Sequence, residues 1–211
     1  GKVFLDCTGD GDVFYRSGLP YNMGRDIDGR MQPMTLVFFV NNVNYAKFWA
    51  EVEKETNGDP DPYFTKLVAK AKADDKFHIP IVRPGSTGPV PRYGRPYDLS
   101  CCEVFVNGTN IVGKCGVSIK DLTEAECVTR KQIYEMYHFL KEYTPGFEEC
   151  YISHVPTSIG VRETRRLSGV YVLKADDLAT GKRFEDTISV GFNMIDIHQV
   201  AGEDFDLTHF A

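Results

Sequence analysis

Lys2-Val3-Phe4-Leu5-Asp6-Cys7-Thr8-Gly9-Asp10-Gly11-Asp12 is an apolar run that stops abruptly in small and acidic residues. Val3, Phe4 and Leu5 have the composition of a buried strand, and the glycines behind them let backbone come close to a ligand. Val13 to Gly18 then reads as a short helix closed by its glycine, with Asp12 placed to cap it. Strand, glycine turn and helix together form the place where open α/β sheets bind ligands.

Outward from that stretch, Leu19 to Pro33 is dense in turn formers and reads as an ordered loop. Met34 to Val43 has the β-branched and aromatic content of a central strand with no solvated face. Tyr45, Phe48, Trp49 and Val52 then fall at helical spacing behind Asn44 as a cap, and Asn57-Gly58 ends the segment. A second helix is expected from Pro62 to about Ala73, giving a helical hairpin. Pro80 to Pro96 holds five of the eleven prolines and excludes a regular helix, so an extended excursion is expected.

Leu99 to Val106 and Asn110 to Val112 read as a hairpin around Asn107-Gly108. Thr123-Glu124-Ala125-Glu126 matches a capping box, opening a helix that stops before Thr144-Pro145-Gly146. Cys150 to Val155, Gly169 to Leu173 and Phe184 to Val190 read as strands, and Asp176 to Ala179 as a turn of helix. Helices and strands mix without βαβ alternation. The fold class is therefore α+β, with a mixed, largely antiparallel sheet and packed helices.

A chain of 211 residues with 42% hydrophobic content can bury a good core. A net charge of −6 with dispersed basic residues gives no footprint for nucleic acid, and no segment has the length of a membrane span. The six cysteines have no metal-ligand spacing and read as reduced thiols of a cytoplasmic protein. Cys101 and Cys102 are neighbours in a strand, facing opposite sides, so a disulfide between them would be strained.

Asp6-x-Thr8-x-Asp10-Gly11-Asp12 imitates the start of an EF-hand calcium loop, but Ser17 stands where the bidentate glutamate belongs, and no metal ligands are assigned. Arg162-Glu163-Thr164-Arg165-Arg166 is the only basic cluster. It reads either as a solvated strand or turn face with an internal ion pair, or as an anion-fixing site. A strand would set Asp196 and His198 on one face, so the carboxylate could orient a proton-transferring imidazole; a structural histidine is the other reading. Gln32 lies in a turn that the loop alone would explain.

Four stretches in register resemble one family: Asp6 to Asp12; Gly24-Arg25 with Asp28-Gly29-Arg30-Met31-Gln32-Pro33-Met34-Thr35-Leu36; Gly160 to Arg166; and Ile195-Asp196-Ile197-His198. Together they resemble the FAD-dependent oxidoreductases whose flavin domain is of the glutathione-reductase type. The resemblance implies FAD as cofactor of the intact protein, with Thr8, Gly9, Asp10, Gly11, Asp12 and Gln32 contacting it. It implies catalytic roles for Arg162, Arg165 and His198 toward a small organic substrate, an anion among the candidates.

The family's strand-GxGxxG-helix unit and its closing glycine-rich stretch are not in this sequence. The expectation is a fragment of a two-domain bacterial-type flavoprotein. Residues 1–24 are then a remnant of the FAD-binding domain, 25–200 the substrate or cap domain, and 201–211 a tail leading back to the flavin domain. The remaining halves of that domain would be its partners, and the fragment alone should be inactive and hold no FAD, because the helix N-terminus that offsets the pyrophosphate charge is missing. The other reading is a free-standing α+β module that binds a small anion without catalysis.

Overall fold

The computed structural model describes residues 1–79, 88–89 and 99–191. Its elements are α1 (Asp12–Arg16), β1 (Tyr21–Met23), β2 (Phe38–Val43), α2 (Tyr45–Thr56), α3 (Pro60–Ala73), β3 (Gly88–Pro89), β4 (Cys102–Val106), α4 (Ile119–Tyr143), β5 (Tyr151–His154), β6 (Arg165–Leu167) and α5 (Ala175–Ala179). The fold is α+β. Strand β2 lies inside a four-stranded antiparallel sheet of order β3-β4-β2-β5, and β1 pairs with β6 in a separate two-stranded ribbon.

The apolar content of β2 is what puts it inside the sheet. Phe38, Val40 and Val43 are fully buried, with Val40 opposite Val104 on one side and Ile152 on the other. The register shifts between Val40 and Val43, where Asn42 takes a positive φ of 62°. An unpaired residue of this kind is a bulge, and the Asn42 amide is anchored on the Glu149 carbonyl at 3.0 Å.

Both central helices begin where their caps place them. Asn44 Oδ1 accepts the Lys47 N–H at 2.9 Å, and Asp59 Oδ1 accepts the Asp61 N–H at 3.0 Å, each satisfying a donor with no partner inside its helix. The helical hairpin α2–α3 closes on Phe48, whose ring lies 5.3 to 6.0 Å from those of Phe64, Phe147 and Tyr63. Ile133, Met136, Phe139 and Leu140 of α4 complete the same core. No helix among the described residues is long and apolar enough to cross a membrane.

Several expectations are corrected. Helix α4 starts at Ile119, capped by Ser118, so Thr123 lies inside it with its hydroxyl donating to the Ile119 carbonyl. The Asn107-Gly108 turn does not close a hairpin, because side chains hold the chain beyond it. The Thr109 hydroxyl bridges the Leu36 N–H and C=O at 2.7 and 3.0 Å, and Gln132 holds both polar groups of the Asn110 main chain. Ile111 meets Met34 in an isolated bridge instead.

Gly169 to Leu173 and Phe184 to Val190 form no strand; Val170 is fully exposed, and Tyr171 turns its hydroxyl onto Asp177. The loop 19–33 contains β1, a strand of only three residues. Residues 1–7 are not a strand, and Val3, Phe4 and Leu5 are 75 to 83% exposed. A strand needs a neighbour for its N–H and C=O groups, and none is present among the described residues. Cys101 is exposed and Cys102 buried, with no disulfide between them, which fits alternate faces. The excursion of Pro80 to Pro96 lies outside the described residues apart from the backbone of 88–89; so do residues 192–211.

Candidate functional site

The turn at Asp6 to Asp12 is closed by its own side chains. Asp6 Oδ1 accepts from the Thr8 hydroxyl at 2.7 Å and the Thr8 N–H at 3.0 Å, and Oδ2 accepts from the Phe14 N–H at 3.0 Å. Those hydrogen bonds, led by the Thr8 hydroxyl, hold the Asp6 carboxyl below the usual carboxylate range. The Thr8 hydroxyl oxygen in turn accepts from the Asp12 N–H at 2.8 Å.

Asp6 and Thr8 therefore do the work expected of Asp12 as a cap. Gly11 stands at the N-cap position, and Asp12 is the first helical residue, with its carboxylate directed elsewhere. Gly9 and Gly11 both have positive φ, 79° and 67°. They differ in surroundings. A Cβ at Gly11 would fall inside the Phe14 ring, whereas one at Gly9 would meet nothing within 4 Å.

The basic cluster reaches this turn from across the chain. The Thr164 hydroxyl donates to Asp10 Oδ1 at 2.9 Å, and Arg165 Nη1 donates to the Asp10 carbonyl at 3.0 Å and to Asp12 Oδ1 at 2.7 Å. The Arg165 guanidinium also lies over the Tyr15 ring, 4.1 Å from its centroid, and Tyr15 packs edge-on against Tyr21 at 5.5 Å. Only 10% of the Arg165 side chain is exposed. Its pKa is raised, first by the hydrogen bond to Asp12.

The residues on either side of Thr164-Arg165, Glu163 and Arg166, turn instead to a second loop. Glu163 accepts the Gln32 N–H at 3.1 Å and pairs with Arg166, the internal ion pair suggested by the sequence. Arg166 Nη2 donates to the Gly24 carbonyl at 2.6 Å. Gly160 and Thr35 exchange two backbone hydrogen bonds, and β6 pairs with β1 so that Arg165 faces Met23. Three stretches distant in sequence, 6–12, 21–35 and 160–167, thus make one connected unit.

The family model described as FAD dependent oxidoreductase matches residues 1–210. The chain belongs to this family of FAD dependent oxidoreductases. No curated protein and no solved structure gives a significant match.

The cofactor of the FAD dependent oxidoreductases is FAD, and the turn has features that fit part of such a ligand. Gly9 offers exposed main chain with free space around it, so a ligand can approach the backbone. Asp10 uses Oδ1 for Thr164, while Oδ2 accepts no hydrogen bond from a described residue and is available to a hydroxyl.

Of the residues assigned from sequence, Thr8, Asp10, Gly11, Asp12 and Arg165 meet in the hydrogen-bonded turn. Gly9 lies on its open side, and Gln32 joins through its main chain. Arg162 is exposed and makes one bond of 3.4 Å, to the Thr35 hydroxyl. His198 lies outside the described residues. Asp6, Tyr15, Glu163 and Thr164 were not singled out as site residues. The Asp6-x-Thr8 spacing of an Asx turn was a readable signal for the first of them; the pairing of Tyr15 with Arg165 spans 150 positions and has no local signal.

Proposed function

We propose that this chain is the substrate-domain portion of an FAD-dependent oxidoreductase that moves a hydride or electron pair between a small organic anion and flavin. Residues 25–200 are assigned to the substrate domain, 1–24 to the flavin-domain remnant and 201–211 to the return path. The observation that carries this reading is the tie of Thr164 and Arg165 to Asp10 and Asp12, which makes the cofactor-type turn and the arginine segment one body. The exposed side chains of Val3, Phe4 and Leu5 are the surface on which the remaining flavin-domain strands would pack. Free thiols support a cytoplasmic setting.

FAD, when bound, supplies the acceptance or release of the electron pair. Gly9 and Asp10 would hold the cofactor, the first through its open main chain and the second by accepting a hydroxyl. Arg165 is a positioning residue, since its guanidinium is engaged by Asp10, Asp12 and Tyr15. Arg162, exposed and singly bonded, is the arginine that fixes the substrate anion through its remaining N–H groups. His198 is assigned the transfer of the substrate proton, on its sequence setting beside Asp196.

Anaerobic flavin reduction by candidate organic anions in the full-length, FAD-loaded protein tests this. Arg162→Ala should slow reduction about tenfold or more, the loss of a charge-assisted contact, with FAD retained. Arg165→Ala should loosen FAD instead. Unchanged reduction in Arg162→Ala removes that arginine from the mechanism, and a full-length protein that takes up no flavin leaves the anion-binding module as the better reading.

A further inference from the structure

A groove of about 410 Å³ lies between α4 and the edge strand β5, lined by Arg130, Ile133, Tyr134, Tyr137, Ile152 and Val155. None of these residues belongs to the cluster joining Asp6 to Arg166. The volume falls within the range of small-ligand sites. Its floor is apolar: Ile133 is buried, Ile152 and Val155 pack against the core, and the Tyr137 hydroxyl is already committed to the Cys150 carbonyl at 3.1 Å.

Arg130 is held in place by groups outside the groove. Its Nε donates to Glu126 Oε2 at 3.0 Å, and Nη2 donates to the carbonyls of Pro156 and Thr157 at 3.3 and 3.4 Å. Nη1 donates to no described residue, so a fixed guanidinium edge remains for a ligand. Tyr134, 64% exposed, has a hydroxyl with no partner among the described residues. Lys141 sits 5.5 Å from the Tyr137 ring centroid and makes no ion pair among the described residues.

Charge decides the sign of the ligand. Arg130 is the charged side chain in the lining, and its neighbour Glu126 is engaged at both oxygens, by Arg130 and by the Ile159 N–H at 2.6 Å. We propose that this groove is a second ligand site, for a small monocarboxylate with an apolar body. The body lies on Ile133, Ile152 and Val155, and the carboxylate accepts from Arg130 Nη1 and the Tyr134 hydroxyl. Because three hydrogen bonds already hold Arg130, little side-chain entropy opposes binding.

Isothermal titration calorimetry of the full chain with phenylacetate and its neutral amide tests the site without reference to flavin. The acid should bind saturably, and the amide about tenfold or more weakly, as expected when a charge-assisted bond is replaced by a neutral one. Ile152→Trp, which fills the groove, should abolish binding, and Tyr134→Phe at the exposed rim should weaken the acid while leaving the fold intact. Equal affinity for acid and amide, no saturable binding of either, or binding that survives Ile152→Trp would overturn the assignment. Loss of binding in Arg162→Ala with retention in Ile152→Trp would place the acid at the proposed substrate site and overturn it equally.

Discussion

Arg165 Nη1 stands 2.7 Å from Asp12 Oδ1, joining strand β6 to the first turn of α1 across 153 positions of sequence. The arginine is nearly buried and the aspartate half exposed, so the pair is neither a freely solvated surface bridge nor a fully desolvated one. Arg165→Met keeps apolar bulk against Tyr15, and Asp12→Asn keeps volume. Each should lower Tm by about 2–4 °C, an ordinary single-site loss for a chain of this length. The double variant should lose less than the sum, since either change alone breaks the same contact. Strict additivity in thermal unfolding would show that the two side chains do not act as a pair.

Helix α4 gives a second contrast. Ser118 Oγ accepts the Asp121 N–H at 3.3 Å, so Ser118→Ala should cost about 1 kcal/mol in urea unfolding. Thr123→Ala, at an exposed interior position, should be neutral or stabilising by up to about 0.5 kcal/mol, because alanine is the better helix former. The reverse order would restore Thr123 as the helix start.

Asp177 carries a pH prediction. The Tyr171 hydroxyl, then the Lys174 N–H and the Lys182 ammonium, hold its carboxyl down to about 2. Its unfolded value is near ~3.9, so the stabilisation is fully present above that pH and is lost as pH falls through about 2. The Lys174 amide, which donates to Asp177 Oδ2 at 2.9 Å, should lose hydrogen-exchange protection across that window in the wild type. In Asp177→Asn its protection should be lower and nearly flat with pH. Asp28, held down to about 2 by Arg25, titrates in the same window, so the local amide is the informative probe rather than global melting.

What the sequence made legible was local. Asn44 and Asp59 announce their helices, and the unbroken apolar run before Asn41 places β2 within the sheet, because each signal acts over a few residues. Ser118 was outcompeted by the better-looking Thr123 and Glu126, and Glu126 is spent on Arg130 and Ile159 instead. The failed hairpin at Asn107-Gly108 has the same origin: Thr109 and Gln132 capture the following chain from positions that no turn rule includes. At the candidate site, residue types were readable and partners were not. That the arginine engaged with the turn is Arg165 rather than Arg162 follows from the β1–β6 register, which three-residue strands do not advertise.

The two glycines of the opening turn separate folding from cofactor approach. Gly11→Ala adds a collision against Phe14 to the strain of a left-handed φ and should unfold the turn and lower Tm. Gly9→Ala meets no atom within 4 Å and should lose only the backbone strain of a left-handed residue, about 1–2 kcal/mol. Gly181→Ala is the matched control, with φ 61°, equally open surroundings and a place beyond α5, away from the turn. Gly9→Ala and Gly181→Ala should therefore melt alike. If Gly9 is where FAD meets the main chain, only Gly9→Ala should weaken FAD retention by the full-length protein, read by flavin fluorescence on dilution. Equal retention in the two variants would take Gly9 out of the cofactor's path and leave the turn a structural hinge between α1 and β6.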